Sequence, residues 1–225
     1  MSWERFRRKL WLRFRSPPRC ARDVIHDYGE YLRLQREVYL AHESEVVRWR
    51  DGQVRYIKHA FAAEPGEARI LDCACGDGVG LAALRDLGFS RLTGVELAPE
   101  KAARAAAQGF DVRVIDMHSL DGIATGTFDT IVSSHTLEHS YRPGEVLAEF
   151  RRVLVPGGRL HVVLPFPDPG PRNERGHPAK YELCTDRADG GEAVTRFFTE
   201  RGFGLLERRA DEYREKEIWL SLVRD

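Results

Sequence analysis

Long hydrophobic runs are missing from this sequence. No stretch approaches the ~20 consecutive apolar residues of a membrane-spanning helix, and the first fifteen residues hold no uninterrupted apolar segment of the secretory-leader type. A soluble, cytoplasmic protein is the expectation. Cysteine is scarce: Cys20, Cys73, Cys75 and Cys184 are the four, and none stands in the CxxC pairing of structural zinc sites. Reduced thiols fit that pattern, and no metal is expected because no dense His/Asp/Glu cluster is visible along the chain. Net charge is also absent, since 35 basic and 35 acidic side chains cancel. No global field draws the chain toward nucleic acid, and no nucleic-acid partner is expected. Internal repeats and low-complexity tracts are lacking as well.

The charge that is present is unevenly placed. Between Met1 and Arg22 eight basic residues face Glu4 alone, so a basic arm precedes an acidic body. Within the arm Trp3, Phe6, Leu10 and Phe14 recur every three or four residues, the stripe of an amphipathic helix that Pro17 and Pro18 would end. Residues 1–15 are therefore a candidate for peripheral contact with an anionic membrane, presenting a lipid-linked or glycan acceptor. Packing on the protein's own domain, or on a partner subunit, is the commoner use of such a helix.

A chain of 225 residues with 42% hydrophobic content supports one substantial core. Helical patterns run through Tyr28, Tyr31, Leu32, Gln35, Val38 and Tyr39, and again through Val47, Val54, Ile57 and Phe61, with Gly52 an expected irregularity. From Ala68 onward short β-branched runs alternate with helices, the grammar of a parallel sheet. Strands are expected at Arg69 to Cys73, Arg91 to Glu96, Val112 to Ile115, Phe128 to Ser133 and Arg159 to Leu164. Helices fill the gaps: one through Leu81 and Leu84 to Gly88, one from Pro99 to Gly109, and one through Val146, Phe150 and Leu154 to Pro156-Gly157-Gly158. A helix from Ala193 to Arg201 and two strands, Leu205 to Arg209 and Ile218 to Val223, suit an antiparallel closing hairpin, while Asp168 to Lys180 reads as a loop.

The chemistry concentrates in Ile70-Leu71-Asp72-Cys73-Ala74-Cys75-Gly76-Asp77-Gly78-Val79-Gly80, a strand entering a small-residue turn and then a helix. Such a turn lets a ligand approach backbone. The spacing is neither the GxGxxG of dinucleotide sites nor the GxxxxGK[ST] of phosphate loops. Asp72 at the mouth would repel a pyrophosphate and attract the ammonium and sulfonium charges of S-adenosylmethionine. Glu96 closes the next strand, where a carboxylate can accept from both ribose hydroxyls, and Leu97 follows it. Asp116 could accept from the adenine amino group, with Met117 on the ring face. Each residue also has a plain structural use, as a packed turn or a solvated acid before a helix.

Taken in order, these motifs resemble the class I S-adenosylmethionine-dependent methyltransferases, in the broad group called type 11 methyltransferase domains. The resemblance covers Ala68 to Pro165 and rests on Ile70-Leu71-Asp72 with its glycine turn, Gly94-Val95-Glu96, Phe128-Asp129-Thr130-Ile131-Val132, Thr136-Leu137-Glu138-His139, and Arg152 to Leu160. It implies an α/β, Rossmann-like seven-stranded sheet in the order 3-2-1-4-5-7-6 with the last strand antiparallel. It also implies S-adenosylmethionine as cofactor, held by Asp72, Ala74, Gly76, Gly78, Glu96, Leu97, Asp116, Met117, Ser133 and Ser134. The segments expected are a basic arm over 1–22, a helical layer or lid over 23–67 and the methyltransferase domain over 68–225. Two departures stand out: Ala74 replaces the family's first glycine, harmless where φ is negative, and Asp77 adds negative charge near a cationic cofactor.

Methyl transfer to an alcohol needs a proton acceptor, whereas a neutral amine can attack first. His135, just after Ser133 and Ser134, is the first candidate base, with cofactor contact through backbone or a capping role as the plainer reading. His177 and Tyr181, on the loop after the fifth strand, are reserves, and His139 and His161 read as structural. The transfer would reach an O or N atom of a small-molecule, lipid or glycan acceptor that no motif selects. A nonenzymatic S-adenosylmethionine-binding regulatory module and a nicotinamide-dependent oxidoreductase are the alternatives. Asp72 and the glycine spacing oppose the second.

Overall fold

Alternation along the strands decides which side chains meet which helical layer. The computed structural model describes residues 20–39, 47–170, 174–213 and 216–225. The amphipathic pattern over 1–15 lies outside the described residues. The strands are β1 (Ile70–Cys73), β2 (Leu92–Glu96), β3 (Asp111–Val114), β4 (Phe128–Ser134), β5 (Leu154–Pro165), β6 (Phe203–Asp211) and β7 (Glu217–Arg224). The helices are α1 (Tyr28–Tyr39), α2 (Val47–Ala60), α3 (Val79–Asp86), α4 (Pro99–Ala106), α5 (Pro143–Val153) and α6 (Glu192–Thr199). α2 runs without a break through Gly52, where an added Cβ would meet nothing within 4 Å.

One seven-stranded sheet forms, in the order β3-β2-β1-β4-β5-β7-β6. β1 to β5 pair in parallel, and β7 is antiparallel to both β5 and β6. The architecture expected from the sequence is therefore present. β5 starts earlier than its Arg159 to Leu164 core because Leu154 already pairs with Phe128, ahead of an irregularity that spans the glycine pair. Leu154 accordingly leaves the helix and joins the strand.

Leu71, Ile131, Leu160, Val162 and Leu164 face one layer, where Val146, Leu147 and Phe150 of α5 and Val194, Phe197 and Phe198 of α6 cover them. Ile70, Val132, Val163 and Trp219 face the other layer, against Tyr56, Ile57 and Phe61 from α2 and its C-terminal end and Ala83 and Leu84 from α3. β1 is buried along its whole length, as a central strand covered on both faces must be. β6 at the sheet edge is mostly exposed and carries Glu207, Arg208 and Arg209, charges that discourage pairing with another chain. α2 is pinned across β6 and β7: Arg55 grips Asp211 with two hydrogen bonds of 2.6 and 2.7 Å and lies over the Trp219 ring.

A buried polar knot closes the amino end of the sheet. Glu64, 2% exposed, accepts from Arg159 Nη1 at 2.8 Å and Thr130 Oγ1 at 3.0 Å, and its Oε1 is 3.0 Å from His161 Nε2. Burial alone would raise the Glu64 carboxyl, but these hydrogen bonds, from His161 first and then Arg159, hold it below the ordinary glutamate range. His161 is thus structural. Removing the carboxylate takes a buried partner from His161 and Thr130, while Arg159, 40% exposed, can reach water, so Glu64→Ala is expected to lower unfolding stability by about 2 kcal/mol in urea titrations at pH 7. Because the folded pKa is depressed, that difference should be full above the ordinary glutamate range and shrink as pH falls through it.

Candidate active site

The carboxyl ends of the parallel strands form one edge, where open α/β sheets place ligands. β1 delivers Asp72 to this edge, 1% exposed, with Oδ2 accepting no hydrogen bond from the described residues. Its side chain lies beneath the first turn of α3, and a Cβ on Gly80 would overlap Oδ2 and crowd Gln53 of α2. Burial, and secondarily the charge of Glu96, push the Asp72 carboxyl from the ordinary 3.8 up to about 7. Glu96, at the end of β2, accepts the Gly76 N–H and the Ala98 N–H, both at 2.9 Å, and so fastens the glycine turn to its neighbour strand. Gly94 lets Cys75 sit between the two strands, since a Cβ there would come within 2.6 Å of Sγ.

Gly76 and Gly78 both have positive φ, and Gly78 opens α3. Ala74 also has positive φ, +61°, so the condition under which alanine would be harmless is not met. The strain is local and the residue exposed. Asp77 does not add free negative charge to the turn, because Arg104 of α4 pairs with it at 2.7 Å. Leu97 is half-buried beside Glu96.

Asp116 lies in the loop after β3, beyond the strand's observed end at Val114. Its carboxylate accepts from the Tyr28 hydroxyl of α1, from the His118 N–H at 2.9 Å and from His118 Nδ1 at 2.7 Å. Nε2 of the same ring accepts the N–H groups of Tyr141 and Arg142 at 3.1 and 3.2 Å, which fixes the Nδ1–H tautomer. Burial would raise Asp116, and the hydrogen bonds from His118 and Tyr28 outweigh it, leaving the carboxyl below its ordinary range. Tyr28 is displaced upward by burial and by Asp116. Met117 packs half-buried against the main core.

Ser133 is fully buried at the end of β4, with Oγ unbonded among the described residues, and the Ser134 carbonyl accepts Thr136 Oγ1 at 3.1 Å. His135 follows with φ of +51°, a second strained residue on the same edge. Its Nε2 is 3.0 Å from Glu217 Oε1 and its Nδ1 3.4 Å from Glu138 Oε1. Burial alone would lower its pKa, yet the two carboxylates prevail and raise it to about 9. Both ring nitrogens of His135, the first candidate base, thus face carboxylates, which favours the protonated ring.

His177 has the opposite arrangement. Asp168 Oδ2 lies 2.7 Å from its Nδ1, which orients the ring with Nε2 directed away from the carboxylate. The ring packs edge-on to His139 at 5.0 Å, and His139 Nδ1 meets the Gly176 carbonyl at 2.5 Å. Glu138, 1% exposed, stands beside both, so three potential ligand atoms from Glu138, His139 and His177 lie within 4.8 Å of one another. No local pattern announced this cluster, because His177 is brought in by the loop after β5. Tyr181 points elsewhere, to Glu174 at 2.7 Å.

Residues 71–162 match a family model described as a methyltransferase domain. A ubiquinone biosynthesis O-methyltransferase of Xanthomonas oryzae pv. oryzae is 34% identical over 101 residues, covering 42% of this chain and 42% of that protein. A ubiquinone/menaquinone biosynthesis C-methyltransferase of Desulfotalea psychrophila is 36% identical over 118 residues, 50% of this chain and 45% of that protein. The chain thus spans less than half the length of these relatives. Among solved structures, 1,6-didemethyltoxoflavin-N1-methyltransferase of Burkholderia thailandensis superposes with a TM-score of 0.67 at 19% identity, over 93% of this chain and 92% of that one. The [4+2]-cyclase SpnF gives 0.63 at 20% identity, over 77% and 80%.

A left-handed alanine costs what a glycine would not. Ala74→Gly is expected to raise unfolding stability by about 0.5–1 kcal/mol, the steric relief exceeding the added freedom of the unfolded chain. Paired denaturation curves measure it, and a loss of stability would mean that the Ala74 methyl makes contacts worth more than its strain.

Proposed function

We propose that this chain, which carries a class I methyltransferase domain, transfers a methyl group from S-adenosylmethionine to a small-molecule acceptor, with a hydroxyl oxygen as the receiving atom. The observation that carries the reading is Asp72, a buried carboxylate with an oxygen that accepts no hydrogen bond from the described residues, next to a second carboxylate at the end of the adjacent strand. Anionic phosphate ligands are disfavoured there, and a cationic amino-acid group fits. Glu96 is positioned for ribose hydroxyls, and the loop carrying Asp116 and Met117 for the adenine ring. The glycine turn from Ala74 to Gly78 provides backbone that a ligand can approach, and Ser133 and Ser134 line the end of β4. When bound, the cofactor supplies an electrophilic methyl carbon on a sulfonium.

The chain's own residues then have three tasks. They neutralise the ligand's positive charge, exclude water and receive the acceptor's proton. The O–H bond of the acceptor breaks toward the side of the edge that holds Glu138, His139 and His177. Loss of that proton would leave an oxygen pair free to take the methyl carbon that the bound cofactor would supply. His135, already protonated, orders this edge as a positioning cation. An oxygen acceptor is favoured over a neutral amine because an alcohol must lose its proton as it attacks, and the relatives named as O-methyltransferases support it. Helix α1 reaches the same edge, through Tyr28 on Asp116 and Gln35 Nε2 on the His139 carbonyl at 3.3 Å, contacts that support reading it as a lid.

Calorimetric titration with S-adenosylmethionine and S-adenosylhomocysteine tests the reading, followed by a screen of hydroxylated acceptors for methyl transfer. Asp72→Asn is expected to weaken cofactor binding at least about tenfold. Asp72 also sets the pH dependence. Its folded pKa is raised, so its contribution to the stability of the unliganded protein is complete below the ordinary value of 3.8 and lost as pH rises through about 7. A cationic ligand selects the ionised form, so affinity should rise as pH increases to about 7 and level off above it, with proton release on binding at pH 6. Failure of a well-folded natural chain to bind either compound would sink the proposal.

A further inference from the structure

We propose that Glu138, His139 and His177 form a binding site for a divalent transition-metal cation of the zinc(II) class. Three observations converge on it. The first is the ligand set itself: two imidazoles and a carboxylate with potential ligand atoms within 4.8 Å of one another, on the carboxyl edge of the sheet. The second is Glu138, 1% exposed, whose two carboxylate oxygens accept no hydrogen bond from the described residues although Oε1 lies 3.4 Å from His135 and 3.8 Å from His139 Nε2. His135 stands at ion-pair distance without satisfying those lone pairs by a hydrogen bond, so the buried carboxylate can still accept a further cation.

The third observation is the shell behind the ligands. Metal-ligating histidines give their other ring nitrogen to a carboxylate or a backbone carbonyl, which fixes tautomer and orientation. Both histidines here do so: His177 Nδ1 meets Asp168 Oδ2 at 2.7 Å, and His139 Nδ1 meets the Gly176 carbonyl at 2.5 Å. Asp168 is itself fixed, with the fully buried Lys180 ammonium 3.8 Å from Oδ1. The backbone joins the two halves, since the Ala179 N–H donates to the Glu138 carbonyl at 3.1 Å. The ligand loop is therefore held against the turn after β4 by bonds that do not depend on the ion.

Two imidazole nitrogens and one oxygen suit zinc(II), cobalt(II) or iron(II) far better than magnesium or calcium, which take oxygen ligands. Three protein ligands leave coordination positions open. With the ion in place the three ligands no longer take up the acceptor's proton; a hydroxyl bound there would lose it to solvent at lower pH than in water, an alternative route to the same activation. That consequence rests on the methyltransferase reading; binding of the ion does not. His135 and Lys180 are the cations that compete for the Glu138 and Asp168 carboxylates.

The test is calorimetric titration of the metal-depleted full chain with zinc(II), with S-adenosylhomocysteine binding measured on the same samples. One saturable site of micromolar or tighter affinity is expected. Glu138→Gln and His177→Ala should each weaken it at least about 100-fold and Asp168→Asn about 10-fold or more, all with S-adenosylhomocysteine binding retained. Cobalt(II) in place of zinc(II) should give visible d–d bands without the near-ultraviolet band of thiolate ligation. The inference is overturned by no saturable zinc binding in a chain that binds S-adenosylhomocysteine, by ligand variants that bind zinc as the natural chain does, or by a thiolate band, which would place the ion on cysteines. Zinc binding without S-adenosylhomocysteine binding would leave the metal site standing and remove the methyltransferase reading.

Discussion

Asp72 is buried beside Glu96 with one oxygen unbonded among the described residues, and the geometry of the whole glycine turn follows from accommodating it. The side chain fits only because position 80 has no Cβ, and the turn closes only because position 94 has none. Glu96 then uses its oxygens to tie Gly76 and Ala98 to the end of β2. A carboxyl raised from 3.8 to about 7 represents roughly 4 kcal/mol of disfavoured charge. That is a large share of the stability of a domain, and it is not relieved within the apolar layers on either side of the sheet. It is relieved by protonation or by a cation, and a cationic ligand therefore gains affinity from the same free energy that the unliganded fold loses.

Everything else on this edge is arranged around loops from different strands, held together by α1. Tyr28 reaches the loop after β3, Gln35 the turn after β4, and Glu30 pairs with Arg175 on the loop after β5 at 2.7 Å. These contacts are unequal. Arg175 is 65% exposed, so its pair contributes little, whereas Tyr28 is packed edge-on to His118 and Tyr141 and its hydroxyl sits on a partly buried carboxylate. The helix is thus anchored chiefly through Tyr28, and the Glu30–Arg175 pair in the same turn adds little. α2 is different in kind: Tyr56 and Ile57 are as buried as the strands they cover, which makes that helix a core layer of the sheet.

The sheet order was legible because its signals are local and repeated. Asp72, Gly76, Gly78 and Glu96 each stand at the end of a strand whose hydrophobic run can be read directly, and the parallel grammar restricts how those ends can meet. The sign of φ at Ala74 stayed open because a sequence does not print it, and the turn requires the left-handed region even where glycine is lacking. Asp77 looked like a free charge because Arg104 belongs to the next helix but one strand away. The Glu64 knot and the Glu138–His139–His177 cluster join residues separated by tens of positions through loops without periodicity, and only the folded sheet brings them to one place.

The two histidines named from the sequence show why residue type is weaker information than surroundings. His135 faces Glu217 on one nitrogen and Glu138 on the other, so both nitrogens are drawn into holding a proton. His177 meets Asp168 through Nδ1, with Glu138 within 4.8 Å in the same cluster. The shared fold cannot make that distinction, since a methyltransferase and a cyclase both superpose on this sheet. What this edge can do is decided by which carboxylate each ring meets, and Glu138, lying between His135 and His139, is the side chain on which both outcomes turn.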